Sequence, residues 1–584
     1  NNLGTTFNEQ GKLDEAVACY RKALALNPDF AGSHYNLGIT LKIQGRLDEA
    51  ITCCRKALAL KPGFPEAYNQ MGIALNEQGK FDEAASCYRQ ALALRPGYTD
   101  AYNNLGITLR DQGKLHEAIA CYQKTLELKP DFAAACSNLA SIFRMLGRNN
   151  EATELYRAAL KSKPTCDMHT ALIFTLDLAE QASVLDQQNE RKQWAETYAA
   201  PFSKHYTHSN NPAPERRLRI GYVSATIGGS GFSSTKVFGA MLAKFDHSKF
   251  DVIVYSNLRS EDETALYYKQ RVTGWKMIVE QSDDAVAELI RQDEIDILVD
   301  LSGHCAGNRL QVFARKPAPV QVTAWGYPTG TGMRAMDALF ADPVFIQPDE
   351  KHFFTEEVRY LPSAIGYFHP EKFPDVEALP ALSVDHITFG LFNRLAKISD
   401  ECFDVWVRLL LSIPKSRLLV KTTELEDPDV KTQLLGRFAK AGVDIERVSL
   451  LGRTSWFEHM NAFNQIDIAL DPFPQCGGVT TMECLMMGNP IITLRWTNLV
   501  GRASASILTT LGMTDWVAET PEQYIAIAIE KTRDLEALAT FRQQLRSRFT
   551  SSVIGDAHAY VKAAESEYRQ LWREWCERKI NESL

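Results

Sequence analysis

Residues 102–130 read Tyr-Asn-Asn-Leu-Gly-Ile-Thr-Leu-Arg-Asp-Gln-Gly-Lys-Leu-His-Glu-Ala-Ile-Ala-Cys-Tyr-Gln-Lys-Thr-Leu-Glu-Leu-Lys-Pro, and this skeleton returns every 34 residues from residue 1 to about residue 164. Glycine or alanine falls at Gly4, Gly38, Gly72, Gly106 and Ala140, and proline at Pro28, Pro62, Pro96, Pro130 and Pro164. A second glycine (Gly11, Gly45, Gly79, Gly113, Gly147) and an alanine (Ala16, Ala50, Ala84, Ala118, Ala152) keep the same step. Apolar residues at helical spacing on both sides of the second glycine predict two amphipathic helices per period, closed by the proline.

A helix-turn-helix unit of this length is the signature of the tetratricopeptide repeat, and stacked units form an α superhelix with a concave face. One carboxamide per repeat precedes the Leu-Gly or its equivalent: Asn2, Asn36, Gln70, Asn104 and Asn138. Each amide carries a donor and an acceptor, so the column is expected to pair with the backbone of a polypeptide acceptor lying in the groove. The other reading is that Asn is consensus at this helix position. The chain opens inside a repeat's first helix, so further repeats or a targeting segment are expected upstream of Asn1.

After the array, residues 169–214 carry helical pattern and end in a polar, Pro-containing stretch. The grammar then changes to strand-helix. Leu218–Ser224, Asp251–Tyr255 and Ile295–Leu301 form one set of short apolar runs. Ile387–Gly390, Arg417–Lys421, Val448–Leu451, Ile466–Leu470 and Pro490–Leu494 form another. The expected fold class is therefore the repeat superhelix followed by α/β: two doubly wound, Rossmann-like parallel sheets. The expected domains are 1–168 for the repeats, 169–214 for a helical linker, 215–380 for the first sheet and 381–584 for the second, with a closing helix at Ala557–Arg578.

Bulk properties narrow the partners. Lys and Arg number 64 against 72 Asp and Glu, a formal charge of -8, which offers no basic field for nucleic acid. No apolar run approaches the roughly 20 residues that span a bilayer, so no membrane partner is expected. Cys19, Cys53, Cys87 and Cys121 are 34 apart and are expected in the repeat core, and the other cysteines show no C-x-x-C spacing. A cytoplasmic location fits the free thiols.

Chemistry concentrates in the second set. Phe392-Asn-Arg-Leu-Ala-Lys397 follows a strand and places Arg394 and Lys397 where a cation meets a phosphate. Asp471-Pro-Phe-Pro-Gln-Cys-Gly-Gly-Val-Thr-Thr-Met-Glu483 follows another strand and opens a helix. Free N–H groups from Gly477 and Gly478, with Thr480 and Thr481, make an anion cradle, and Glu483 is placed to hold ribose hydroxyls. Asp427-Pro-Asp429 stands in a helix-starting loop, and no metal site is assigned to it.

The ordered set Leu218-Arg-Ile-Gly-Tyr-Val-Ser224, Ile295-Asp-Ile-Leu-Val-Asp-Leu-Ser-Gly-His304, Arg315-Lys-Pro-Ala-Pro-Val-Gln-Val322, Trp325-Gly-Tyr-Pro328, Phe392-Asn-x-Leu-x-Lys397 and Gly477-Gly-Val-Thr-Thr-Met-Glu483 resembles the O-linked N-acetylglucosamine transferase and SPINDLY family. The resemblance implies a GT-B glycosyltransferase with the acceptor at the first sheet and a nucleotide sugar at the second. It implies that Lys397 neutralises the donor diphosphate beside Asn393 and Arg394, the latter standing where the family usually has Gln or Asn. It further implies that His459 is a donor-site histidine, that Glu483 is the acidic ribose residue, and that Gly326, Tyr327 and Pro328 form a loop beside the sugar. The implied reaction is an inverting transfer to Ser or Thr with no metal or other cofactor, the leaving diphosphate being stabilised by fixed cations and N–H dipoles.

One departure stands out. After Gly-Tyr-Val-Ser the family has a turn ending in a histidine, whereas this chain reads Ala225-Thr-Ile-Gly-Gly-Ser-Gly-Phe-Ser-Ser234, placing Ser230 or Phe232 at that position. Neither is a base near neutral pH. His304, also readable as a structural histidine, or a donor phosphate oxygen is left to take the proton. Trp456 and Gly478-Val479 also differ from the animal transferases. UDP-GlcNAc is the first donor expected and GDP-fucose, as in the SPINDLY branch, the alternative. A repeat adaptor with impaired transfer is a further alternative.

Overall fold

The computed structural model describes residues 1–203, 208–227, 234–369 and 372–583. It forms two compact units, Asn1–Met168 and His169–Leu584.

The first unit is five helix pairs: Asn2–Glu9 with Leu13–Leu26, Ala31–Ile43 with Leu47–Leu60, Pro65–Glu77 with Phe81–Leu94, Thr99–Asp111 with Leu115–Leu128, and Ala133–Met145 with Asn149–Ser162. The second glycine of every period turns the chain with a φ between 73° and 78°, a conformation that costs glycine nothing. The first glycine admits a ring: a Cβ at Gly4, Gly72 or Gly106 stands 2.6–2.7 Å from Tyr20, Tyr88 or Tyr122. Cys19, Cys87 and Cys121 lie one residue before these rings and Cys53 one before Cys54, which takes the ring's place against Gly38; of the four only Cys87 is buried and Cys19, Cys53 and Cys121 are half-buried, so the expected core position is an inter-helix margin. Polar side chains tie successive repeats together: Gln44 donates to Asp14, Gln78 to Asp48 and Gln112 to Asp82, each 30 residues back. Thr40 donates to Asn8, and Thr108 to Asn76.

The second unit begins with the end of the Cys166–Leu178 helix and then the Val184–Trp194 helix, which Ser183 starts with a capping box. Two parallel sheets come next. In the first, β1 (Leu218–Ser224), β2 (Phe250–Ser256), β3 (Gly274–Met277), β4 (Ile297–Asp300), β5 (Val320–Thr323), β6 (Ala338–Ala341) and β7 (Glu357–Tyr360) run in the order β3-β2-β1-β4-β5-β6-β7. In the second, β8 (Thr388–Leu391), β9 (Arg417–Lys421), β10 (Val448–Leu451), β11 (Ile468–Leu470), β12 (Ile491–Leu494) and β13 (Val517–Ala518) run in the order β10-β9-β8-β11-β12-β13. Strand order reverses between β1 and β4 and again between β8 and β11. A crevice opens at such switch points beyond the strands' carboxyl ends, where ligands bind in doubly wound sheets.

The last helix, Ala557–Ser583, follows the second sheet in sequence and packs across to the first, which its apolar stripe covers. Tyr560 accepts a hydrogen bond from Trp325 and donates to the Ser363 carbonyl, Tyr568 meets Tyr222, and Trp572 donates to the Ala213 carbonyl. The contact is aromatic: the rings of Tyr222, Trp325, Phe340 and Tyr568 form a buried cluster to which the helix contributes Tyr568. Among the described residues no helix is long and apolar enough to cross a membrane.

Candidate active site

Lys397 closes a short 3-10 turn after β8, and its ammonium donates to the Cys476 carbonyl at 2.8 Å, with the Gly477 carbonyl at 3.5 Å. Burial pulls its pKa below the ordinary lysine value, partly offset by Cys476 and Asp471. Among the described residues no carboxylate pairs with it, so carbonyl dipoles alone touch the charge. Arg394, immediately before the turn, is exposed, and Asn393 is buried just past the strand's end.

The glycines opposite are arranged by Asp471, at the end of β11. Its Oδ1 accepts from the Gly477 N–H at 2.8 Å and its Oδ2 from the Thr493 hydroxyl at 2.7 Å. Burial pushes this carboxyl up to about 6. A Cβ on Gly477 meets Thr481 Oγ1 at 2.4 Å and Asp471 at 2.8 Å, so only glycine fits. Gly478 has a φ of 87° and starts the Val479–Met486 helix. Thr480 is half-buried at this helix start, but Thr481 corrects the expected cradle. Its side chain is fully buried, accepting from the Gly478 N–H at 3.2 Å and sharing a hydrogen bond with Ser504 at 2.7 Å, so it braces the turn from inside and has no hydroxyl to offer an anion.

Glu483 lies on the same helix, 6% exposed, and Lys236 of the Ser234–Ala243 helix approaches its Oε1 at 2.5 Å. Burial raises the Glu483 pKa while Lys236 lowers it. His459, on the Trp456–Asn461 helix, stands edge-on to Phe392 and Phe463. Burial, with Lys421 and Lys236 adding to it, drives its pKa to about 4, so it is a neutral imidazole at neutral pH. Trp456 stacks on His369 with the ring centroids 4.4 Å apart and the planes 3° from parallel.

The loop after β5 is set by close approach: Trp325 has a φ of 54°, and a Cβ on Gly326 falls 1.6 Å from the Leu301 carbonyl oxygen. Pro328 is buried. Tyr327 turns its ring onto Phe174, with the hydroxyl beside Asp177, so its side chain is committed to the helical segment and only its backbone is left for a sugar. That segment grips both sheets: Arg191 donates to Asp177, to Thr329 and to the Gly330 carbonyl, and Asn498 donates to the Asp177 carbonyl.

His304 is corrected as a proton acceptor. It is 0% exposed, its Nε2 bonds the Thr331 carbonyl at 3.0 Å, and Trp194 closes over it edge-on. Burial beside Arg191 lowers its pKa to about 3. An enclosed ring with no path to a reacting hydroxyl is a structural histidine. Ser230 and Phe232 lie outside the described residues. Asp427 accepts from the Asp429 N–H and caps the helix that Pro428 begins.

In the repeat unit, Asn2 is exposed and Asn36, Gln70, Asn104 and Asn138 are half-buried. Three of these amides already bond sideways: Asn36 to Asn1, Asn104 to Asn69 and Asn138 to Asn103, in each case Nδ2 to Oδ1 of the residue 35 positions back. The sequence reading missed this ladder, although the 35-residue spacing of Asn pairs signalled it. It also missed Lys236, whose partner lies 247 residues away with no local pattern.

Residues 164–378 and 377–564 match Glycosyl transferase family 41, and residues 4–42, 29–97, 63–131 and 99–164 match tetratricopeptide repeats. The chain belongs to glycosyl transferase family 41. Within this family, a probable UDP-N-acetylglucosamine–peptide N-acetylglucosaminyltransferase SPINDLY of Hordeum vulgare is 34% identical over 393 residues, covering 66% of this chain and 41% of that protein. The Caenorhabditis elegans UDP-N-acetylglucosamine–peptide N-acetylglucosaminyltransferase is 26% identical, covering 62% of this chain and 41% of its own. The chain thus spans about two fifths of the length of these relatives. A mutant of Thermobaculum terrenum O-GlcNAc transferase superposes over 94% of this chain and 98% of its own, with a TM-score of 0.69 and 30% identity, as expected for a repeat superhelix joined to the two sheets of family 41.

Proposed function

We propose that the chain is a metal-independent protein O-glycosyltransferase that moves a sugar from a nucleotide donor, UDP-GlcNAc first, to Ser or Thr of a polypeptide selected by the repeats. The observation that carries this reading is the Lys397 ammonium against the Cys476 carbonyl, at the mouth of a glycine-started helix that also bears Glu483. In the proposed step the acceptor oxygen attacks the anomeric carbon from the side opposite the diphosphate. The carbon–oxygen bond to the phosphate breaks and its electron pair stays on the diphosphate, whose growing charge Lys397 and the N-terminus of the Val479–Met486 helix stabilise, the Gly477 and Gly478 N–H groups being held by Asp471 and Thr481. The hydroxyl proton passes to a donor phosphate oxygen, since the imidazole of His304 is enclosed and neutral.

A GDP-sugar donor is the second reading, favoured by the likeness of Thr388-Phe-Gly-Leu-Phe-Asn393 and Leu301-Ser-Gly-His304 to the SPINDLY branch. Incubation with labelled UDP-GlcNAc and GDP-fucose in separate reactions, with polypeptide acceptors and excess EDTA, distinguishes the two. Incorporation from one donor in EDTA is the expected result. Tight UDP or GDP binding without incorporation from either donor overturns the transferase reading and leaves a nucleotide-binding adaptor.

A further inference from the structure

The ion pair between Lys236 and Glu483 joins the two sheets at the candidate donor site. Lys236 stands on the Ser234–Ala243 helix, the first helix after β1, and Glu483 on the first helix after β11. The helix that presents the lysine is held on both sides: Thr235 donates to the Thr226 carbonyl, and the Phe368 N–H of the segment joining the sheets donates to the Lys236 carbonyl. The Glu483 side chain is 8% exposed and that of Lys236 24%, so the pair sits at the inner edge of the crevice and is screened little by water.

A buried carboxylate with no partner takes up a proton, and a protonated acid is a poorer acceptor for a diol than a carboxylate. Lys236 is the cation within ion-pair distance of Glu483 among the described residues. The other groups facing this corner do not replace it. Tyr367, from the segment joining the sheets, feels the Glu483 charge and has its phenol pushed up by burial. His459 is neutral, and Lys421 beside it donates to the Gly452 carbonyl. Cys484, next along the helix, is a buried thiol whose pKa burial raises further.

We propose that Lys236 is a positioning residue contributed by the first sheet's side to the donor site: it holds Glu483 as an oriented carboxylate, one oxygen taken by the ammonium and the remaining lone pairs left for the ribose diol. The proposal rests on the reading of Glu483 as the ribose residue. Its consequence is that donor affinity depends on the two sheets standing in the arrangement that brings the Ser234–Ala243 helix to Glu483. A lysine just beyond the turn that lacks the family histidine thus serves the donor and not the acceptor.

The test is calorimetric titration of UDP and of GDP between pH 6 and pH 9 into the whole chain and its variants. K236M is expected to weaken both nucleotides about tenfold at pH 7, the difference between a charged and a neutral acceptor, and to regain affinity as rising pH ionises Glu483 unaided. K236R is expected to bind as the parent does. K236Q, which keeps much of the side chain's packing, repeats the measurement if the methionine variant melts early. In an E483Q background K236M is expected to add nothing. A K236M loss that is the same at every pH, or that persists undiminished in E483Q, overturns the proposal, because a merely structural lysine behaves that way. E483Q binding both nucleotides at parental affinity overturns the ribose reading itself, independently of Lys236.

Discussion

The two sheets end their switch-point strands with the same device. Asp300 closes β4 and Asp471 closes β11; each accepts loop N–H groups, Ser302 and Gly303 in one case and Gly477 in the other. Each also accepts from a threonine on the next strand, Thr323 of β5 or Thr493 of β12, and burial pushes each carboxyl up to about 6. The loops beyond them differ. After Asp300 the loop delivers His304 into a sealed pocket under Trp194, whereas after Asp471 it delivers two glycines and a helix start facing Lys397. The strand-end carboxylate is therefore scaffold in both sheets, and in the proposed reaction chemistry enters where the neighbouring loop meets a cation that bonds only to carbonyls.

The strongest test of that contrast is Lys397→Ala. Loss of at least about a hundredfold in kcat is expected, the scale of removing one preorganised group that faces developing charge. Circular dichroism and the melting temperature should hardly change, because the ammonium bonds only to carbonyls. Transfer within tenfold of the parent would remove the asymmetry between the sheets.

Asn in place of each strand-end Asp comes next. Both variants turn an amide donor toward groups that themselves donate, and each is expected to cost about 2 to 4 kcal/mol of stability. Only Asp471→Asn is expected to weaken nucleotide binding as well, since Gly477 hangs from it. The pH dependence has a definite sign. A folded-state pKa of about 6 lies above the unfolded value near 3.9, so the stabilising contribution is complete below pH 4 and is lost as pH rises through 6. The parent's melting temperature relative to Asp300→Asn should fall across that window; a constant difference would show the carboxyl ionised throughout.

His304→Gln probes the sealed side. Its folded pKa of about 3 lies below the usual histidine value, so its contribution is present above pH 6.5 and lost as pH falls. Stability at pH 7.5 is expected to drop by about 1 to 3 kcal/mol, the cost of disturbing a buried hydrogen bond, with kcat within threefold of the parent. A base would instead cost about 10²-fold or more, and a loss of that size in a folded variant would return His304 to the reaction.

How much of this was legible in the sequence depends on the range over which a signal acts. The repeats were readable because each period states its own turn, cap and packing glycine. β1, β9 and β10 fell on the apolar runs that announced them. β3 and β7 carried no clean run because they are edge strands with half-exposed residues, and β13 is two residues long. In the candidate site, Lys397, the two glycines and Glu483 stood in local motifs. Thr481 turned inward, His304 was enclosed and Lys236 met Glu483 because of packing between distant segments, which no local spacing records.

The smallest effect belongs to the repeats, where the same question of scaffold against contact recurs. Asn36, Asn104 and Asn138 each spend one N–H on the amide of the preceding repeat, leaving the second N–H and the carbonyl oxygen for a polypeptide backbone. At Gln70 the residue 35 positions back is Tyr35, so the chain of amides is interrupted there. Alanine at the three asparagines is expected to raise KM for protein acceptors by about tenfold, the worth of one to two net hydrogen bonds, and to leave KM for short peptides unchanged. Asn103→Ala separates the two roles, because Asn103 is buried and touches the ladder only from beneath. If the amides act by contact, this variant leaves KM alone and costs about 1 kcal/mol of stability; if they act by being held in line, it raises KM for protein acceptors as removal of Asn138 does. The second outcome would make the repeats a scaffold of the same kind as Asp300 and Asp471, in which buried polar groups fix the geometry of the ones that touch the substrate.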